Sequence, residues 1–431
     1  MANSGCPRRG ISGGSAVIVW THPVGVTPLI FLLAGILVLG AAIAFWIERQ
    51  YRRRPGNRLA FAAGNWNLET YEPNHYRIVG EPELINQTQS LEIMVPELTT
   101  ETTLLSKASL AGIQVTTTLT PQHPDAEARS DGYWFAYIVK LRKRTSLKIQ
   151  VDITGPDLRS LKVLWVRVHY ITYGPGGRVP KTGHVVVPLQ FPNPEDERPW
   201  RETPGAKVLP VPTHLLTHLD TPVEVVQRYV VPHAQPGDII TLGETPVAIM
   251  QGRWRHPADV QPGWLARRLC YYFLPTSSLA TAGGLQTLVD VVGPMRVLLA
   301  FLGGALMKVF LRRGGGFYQL AGEQARLIDD VTGTLPPYDQ FIVLGPRDSQ
   351  GVVEEIKRAT GIEAAIVDVN DLRAVKILSA TSGVNPQVLT QALIDNPAGN
   401  ADEQTPLVLV RPGSPGNSPE NTPGNTAGQE P

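Results

Sequence analysis

The sequence predicts an α+β chain: an N-terminal transmembrane helix, an all-β sandwich-like domain, then a mixed α/β domain. Three observations predict it. An uncharged apolar stretch lies near the start, short β-branched runs follow one another through the first half, and strand-like and helical segments alternate through the last third. At 431 residues the chain is long enough for two or three domains of about 150 residues each.

Residues 1–28 precede the apolar stretch Leu29–Ile47, LIFLLAGILVLGAAIAFWI, which has the length needed to cross ~30 Å of hydrocarbon. Phe45, Trp46 and Ile47 run straight into charge with no small-residue cleavage site, so the segment reads as a retained anchor. Arg49, Arg52, Arg53 and Arg54 outweigh the distant Arg8 and Arg9. A single-pass protein with its C-terminal domains in the cytoplasm, on a plasma or thylakoid membrane, is the expected topology.

Residues 57–191 read as the sandwich, from runs such as Leu147–Ile153 and Val163–Tyr170. Gly174–Gly183 holds glycines near a Lys-Thr pair, as a phosphate loop would. Pro180 and the strand-like Val185–Val187 that follows instead fit a hairpin turn. The proline- and charge-rich residues 192–210 read as a linker, and residues 211–412 as the α/β domain, with a helix at Val223–Tyr229 and a strand at Asp238–Thr241. The apolar run Val297–Leu311 is short for a span and carries Lys308. A buried helix or an interfacial, membrane-facing one is expected there. Residues 413–431, rich in Gly, Pro, Ser, Asn and Thr, read as a disordered tail.

Net charge is +1, with 39 basic against 38 acidic residues, which disfavours nucleic acid as a partner. Two cysteines, Cys6 and Cys270, exclude a disulfide framework and a cysteine zinc site. No nucleophile elbow is present.

The candidate chemistry is acidic. Asp329 and Asp330, then Asp368, Asn370 and Asp371, then Asp402 and Glu403 abut three β-branched or small-residue runs, the last cluster leading into Leu407–Val410, and acids at strand ends gather oxygen ligands around a divalent cation. Any one cluster also suits caps and turns; their joint occurrence carries the metal reading. Arg326, Arg373 and Lys376 lie near them in sequence, either as phosphate partners or as solvated surface charge. His214, His218 and Asp220 have a spacing that can place two imidazoles on one face of a short capped helix, a weaker metal candidate.

Gly237–Arg253 (GDIITLGETPVAIMQGR), together with Ala321-Gly322, Ile328-Asp329, Leu335-Pro336-Pro337, Ile366–Asp371 and Gly399–Pro406, resembles the gamma-glutamyl ligases of the deazaflavin coenzyme F-420. The whole chain is similar to membrane-anchored relatives of that ligase found in cyanobacteria. The resemblance implies GTP as co-substrate with Mn2+ or Mg2+. It also implies glutamate joined to a phosphate-bearing or acidic small-molecule acceptor through an acyl phosphate, and a possible homodimer. It assigns catalysis to Asp329 and Asp368, and metal to Asp329, Asp330 and Asp368. Nucleotide contacts fall to Glu244, Arg253, Arg326, Asn370, Asp371, Asp402 and Glu403. The ligases carry lysines and serines in the segment matching Gly243–Gln251, whereas this chain has Gly243, Thr245, Ala248, Ile249 and Gln251. Either Arg253, Arg326 or Lys376 replaces them, or nucleotide binding has weakened. The rival expectation is a ligase-derived scaffold that holds a metal or acidic ligand at the membrane without turnover.

Overall fold

Strict alternation in Arg144–Thr154 sends Thr145, Leu147, Ile149, Val151 and Ile153 inward and the residues between them outward, and this strand organises the first sheet. A computed structural model of the chain describes residues 27–52, 58–89, 91–174, 177–312, 315–330, 335–369, 373–399 and 403–413. Helix α1 (Thr27–Arg52) belongs to one unit, 1–56, and everything from Asn57 to a second. Within α1, Ile30–Gln50 is long and apolar enough to span a membrane, with mean hydropathy 2.7.

The second unit begins with ten strands: β1 (Leu59–Ala62), β2 (Trp66–Glu72), β3 (His75–Gly80), β4 (Glu83–Asn86), β5 (Ile93–Ser106), β6 (Gln114–Gln122), β7 (Tyr137–Val139), β8 (Arg144–Thr154), β9 (Leu161–Gly174) and β10 (Gly177–Pro188). β8 pairs with β6 on one side, and on the other with β3 and β4, which are extended by β2 and β1. The facing sheet has the order β10-β9-β5-β7. β9 and β10 form the expected hairpin, with Gly174 opposite Gly177.

Two more strands, β11 (Arg201–Thr203) and β12 (Ala206–Val211), lie in the stretch expected to be a linker. They join a six-stranded sheet of order β11-β12-β19-β13-β17-β18, so the break between the halves is shorter than expected, about residues 189–200. Pro210 argued against a strand. It is tolerated because β11 covers β12 only as far as Val208, leaving the proline on an open edge.

The sheet is completed by β13 (Ile239–Gly243), β17 (Glu363–Val369), β18 (Val375–Ala380) and β19 (Leu407–Pro412), with β13 and β17 parallel. A small sheet pairs β14 (Trp254–Arg255), β16 (Ile342–Val343) and β15 (Asp329–Asp330) in that order. The helices after α1 are α2 (Pro222–Tyr229), α3 (Glu244–Met250), α4 (Trp264–Leu269), α5 (Ala282–Val292), α6 (Pro294–Phe310), α7 (Gly316–Ala321), α8 (Gln324–Leu327), α9 (Ser349–Thr360) and α10 (Pro386–Leu393). Thr221 starts α2 by accepting from the Glu224 amide and donating to its carboxylate, and Pro222 fills the first turn. Valines and tyrosine of α2 pack with Val353 and Ile356 of α9 on one face of the six-stranded sheet; Leu389 and Leu393 of α10 pack on the other.

α6 covers the run Val297–Leu311 expected to be buried or interfacial. Val297, Ala300 and Gly304 are buried, whereas Leu299, Leu302, Leu306, Val309 and Phe310 are exposed. It meets α5 at 113°, so it is not one straight span.

β9 is buried on both faces. Leu164, Val166, Val168 and Tyr170 fill the sandwich core, while Val163 and Trp165 join Val186 of β10 in a second cluster with Leu215, Ala248, Ile249, Tyr338 and Phe341. Strand periodicity thus fastens the sandwich to the C-terminal half through a largely apolar seam.

Candidate functional site

Parallel pairing of β13 and β17 sets Gly243 opposite Val367, so the residues that follow, Glu244 at the start of α3 and Asp368 near the end of β17, come to the same edge of the sheet. The carboxyl edge of parallel strands is where α/β sheets place ligands. A cavity of about 440 Å³ opens there. Its walls come from Thr213–Leu216, the start of α3, Asp329 of β15, the end of β17, and the segments 396–399 and 404–406.

Three carboxylates face this cavity and feel one another. Burial, reinforced by Asp368 and Asp329, pushes Glu244 up to about 8, and its Oε2 is buried without a hydrogen-bond partner among the described residues. Burial and Asp368 also push Asp329 up to about 6, against a hydrogen bond from Thr245 that favours its ionised form. Asp368 stands opposite Lys376 across the β17–β18 pair. Lys376 pulls against the rise at Glu244 and pairs with Glu323 at 3.3 Å. The wall therefore presents two carboxyls of raised proton affinity, Glu244 above Asp329, so a proton on the pair favours Glu244.

The expected set divides. Glu244, Asp329 and Asp368 are brought together. Asn370, Asp371 and Asp402 lie outside the described residues, as does the side chain of Asp330, whose backbone pairs with Ile342 in β16. Glu403 is exposed and does not line the cavity, although its carboxylate sits beneath Gly399 (φ +70°), where a Cβ would come within 2.7 Å of Oε2.

The cations expected to replace the missing lysines do not face the cavity. Arg253 donates from Nε to the Gly345 carbonyl at 2.6 Å and from Nη2 to Gln324 at 3.1 Å, holding α8 to the loop that follows β16. Arg326 is exposed on α8, because Ala325 and Leu327 on either side of it take the buried positions. Arg373 pairs with Asp395 at 2.7 Å on the surface. Among the described residues, no lysine or arginine lines the cavity.

His214 and His218 lie in a loop, not on the expected short helix, because the chain turns at Thr217 to place Asp220 under its own backbone. His214 is held at both nitrogens, by Tyr229 at 2.7 Å and Asp220 at 2.9 Å, and lines the cavity as a fixed wall. His218 is apart from it, packed against Trp254, where burial pushes it down to about 4. Sequence reasoning gave no site role to Thr245 or to the wall residues Thr213, Leu215, Leu216, Asn396, Pro397 and Ala398. Only Thr245 carried a usable signal, being next to Glu244 at the strand end.

No curated protein matches this chain. Among solved structures, the yeast GGA1 GAE domain is 13% identical, with 32% of this chain and 100% of that one covered at a TM-score of 0.18. A protein from Archaeoglobus fulgidus is also 13% identical, with 30% and 95% covered at a TM-score of 0.17. Nothing about function follows from likenesses of that size. The family signature rests on the sandwich: residues 60–191 match the family model of the N-terminal Ig-like domain of F420-0:gamma-glutamyl ligase.

Proposed function

We propose that this chain is a membrane-tethered amide ligase of the gamma-glutamyl type, working on an acidic or phosphate-bearing acceptor and glutamate at the cavity of Glu244, Asp329 and Asp368. The single observation that carries the reading is this set of electrostatically coupled carboxylates at the edge where β13 and β17 end. The match of the sandwich to a ligase-associated domain supports it.

Oxygen donors with an orphaned Glu244 Oε2 fit Mg2+ or Mn2+, and Glu244, Asp329 and Asp368 would hold the ion. Bound there, the ion would neutralise phosphoryl charge. The lining offers no matching fit to GTP, since its phosphates meet no basic side chain among the described residues, and no step is derived through it. The chain's own acid–base work is clearer. Where an oxygen of Asp329 is not held by the ion, this carboxylate is suited to take the proton that an amino group must lose before it attacks a carbonyl. Thr245 fixes its orientation by the hydrogen bond it gives.

The test is mass spectrometry of the full chain in detergent with GTP, Mn2+, glutamate and a panel of acidic acceptors. A glutamylated product is expected. No product with any acceptor, together with no thermal shift on adding GTP and Mn2+, would remove the proposal. A second reading, a ligase-derived scaffold without turnover, is favoured by the absence of basic side chains in the described lining. Asp368→Asn separates the two: turnover collapses in an enzyme, while a scaffold keeps its acceptor affinity within a few-fold.

In this reading the tether is α1, which is long and apolar enough to span a membrane, and the arginines that follow it in the sequence support a cytoplasmic second unit. Protease added outside sealed cells should leave the C-terminal domains intact; their digestion would reverse the topology.

A further inference from the structure

The seam between the sandwich and the C-terminal half contains a group of side chains that the ligase reading does not use. His184 sits on β10 with the same parity as Val186, so it faces the seam and not the sandwich core. Its side chain is 6% exposed, and both ring nitrogens are buried without a hydrogen-bond partner among the described residues. Ordinary core histidines have at least one nitrogen satisfied, so this ring is poised for something the polypeptide does not supply. His256, just after β14, stacks on it at 5.1 Å and 20°, and Asp259 Oδ2 lies 3.5 Å from His184 Nε2 without completing a hydrogen bond. One donor atom from each of the three falls within 4.8 Å of the others.

We propose that the seam binds one divalent transition-metal ion of the zinc type, ligated by His184, His256 and Asp259, and that the ion pins the sandwich to the C-terminal half. Two imidazoles and one carboxylate form a borderline N2O set, which suits zinc and its neighbours and not the hard ions Mg2+ or Ca2+. Bonds of 2.0–2.2 Å put tetrahedral ligand atoms about 3.4 Å apart. The 3.5 Å His184–Asp259 edge is already there, and the rest closes by roughly an ångström of side-chain movement. His256 would exchange a long 3.3 Å bond that its Nδ1 accepts from the Ala258 amide. Trp165 and Phe341 wall the ring of His184, and the 38% exposed Asp259 leaves a route from solvent and room for a water as fourth ligand. Arg167 and Lys181, the cations within electrostatic reach of the trio, donate elsewhere: Arg167 to Glu101 and Thr103, Lys181 to the Leu59 carbonyl.

The site is tested on the full chain in detergent, stripped with a chelator and titrated with Zn2+ by calorimetry and with Co2+ by visible absorption. One equivalent, visible bands characteristic of nitrogen-ligated cobalt, and a Zn2+-dependent rise of several degrees in Tm are expected. Asp259→Asn, at a partly exposed position that keeps its volume, should weaken binding at least tenfold and abolish the Tm rise, and His256→Ala should remove the cobalt bands. The double variant Glu244→Gln, Asp368→Asn should leave all three readouts in place. Equal stoichiometry and affinity in the wild type and in Asp259→Asn would overturn the proposal. So would loss of the ion in the Glu244→Gln, Asp368→Asn variant, which would assign it to the acidic cavity.

Discussion

The acidic cavity and the histidine seam invite cations by opposite means. In the cavity, burial and the neighbouring carboxylates raise the proton affinity of Glu244 and Asp329, yet among the described residues Glu244, Asp329 and Asp368 do not close into a tight ligand group. In the seam, His184, His256 and Asp259 are already a compact triangle, and the cost lies in unsatisfied imidazole nitrogens rather than in repulsion. The first arrangement stores electrostatic tension that a proton, a hard cation or a cationic substrate can relieve, as a reaction site requires. The second is pre-formed on two packed elements, as a structural clamp requires.

Four measurements would break or sharpen that contrast. The largest effect is expected for Asp368→Asn, which should lower ligase turnover by about 10²- to 10³-fold while leaving the seam's metal untouched. Phe341→Ala removes a ring packed against Trp165, Trp254, His184 and His256, and should cost about 3–5 kcal/mol of stability by denaturant titration. A loss under about 1 kcal/mol would mean the seam is not a core.

The third is pH-dependent. Glu244 has its folded pKa raised from 4.5 to about 8, so the stability it contributes is fully present below pH 4.5 and lost as pH rises through 8. In chelator, the wild type should lose stability on the order of 3 kcal/mol from pH 5 to pH 8, and Glu244→Gln should flatten that slope. Asp329 adds to the fall in the lower window, between 3.8 and about 6. Mn2+ should restore the wild type at pH 8 and leave Glu244→Gln nearly unchanged. The smallest effect belongs to Arg253→Ala. Because its guanidinium holds the Gly345 carbonyl, stability should drop by about 1–2 kcal/mol, while GTP affinity should change less than twofold in a binding titration.

Several elements were legible in the chain because their signal is local. α1 announces itself by uninterrupted apolarity, β8 by alternation, and Gly174–Gly183 as a turn by Pro180 and its β-branched flank. Asp329 and Asp368 were visible as strand-end acids. Glu244 was reached only through a resemblance, because a single glutamate after a strand has no pattern of its own. Arg253 and Arg326 lie off the cavity wall because neither a resemblance nor nearness in sequence says which way a side chain faces: the turn after α3 aims Arg253 at Gly345, and the apolar neighbours of Arg326 turn it outward. The supposed linker concealed β12, whose pairing partner β19 lies at the far end of the chain.

By itself the sequence determined what depends on neighbours along the chain: an apolar helix, an alternating β half, an α/β half and a surplus of acids at strand ends. The tertiary structure decided what depends on neighbours in space. Parallel register of β13 and β17 put Glu244 and Asp368 at one edge, and burial there lifted the proton affinity of Glu244. The seam, in turn, joined His184 to His256 and Asp259 across two halves of the chain. Desolvation and Coulomb coupling act over a few ångströms of space whatever the separation along the chain, and so a list of residues in order cannot contain them.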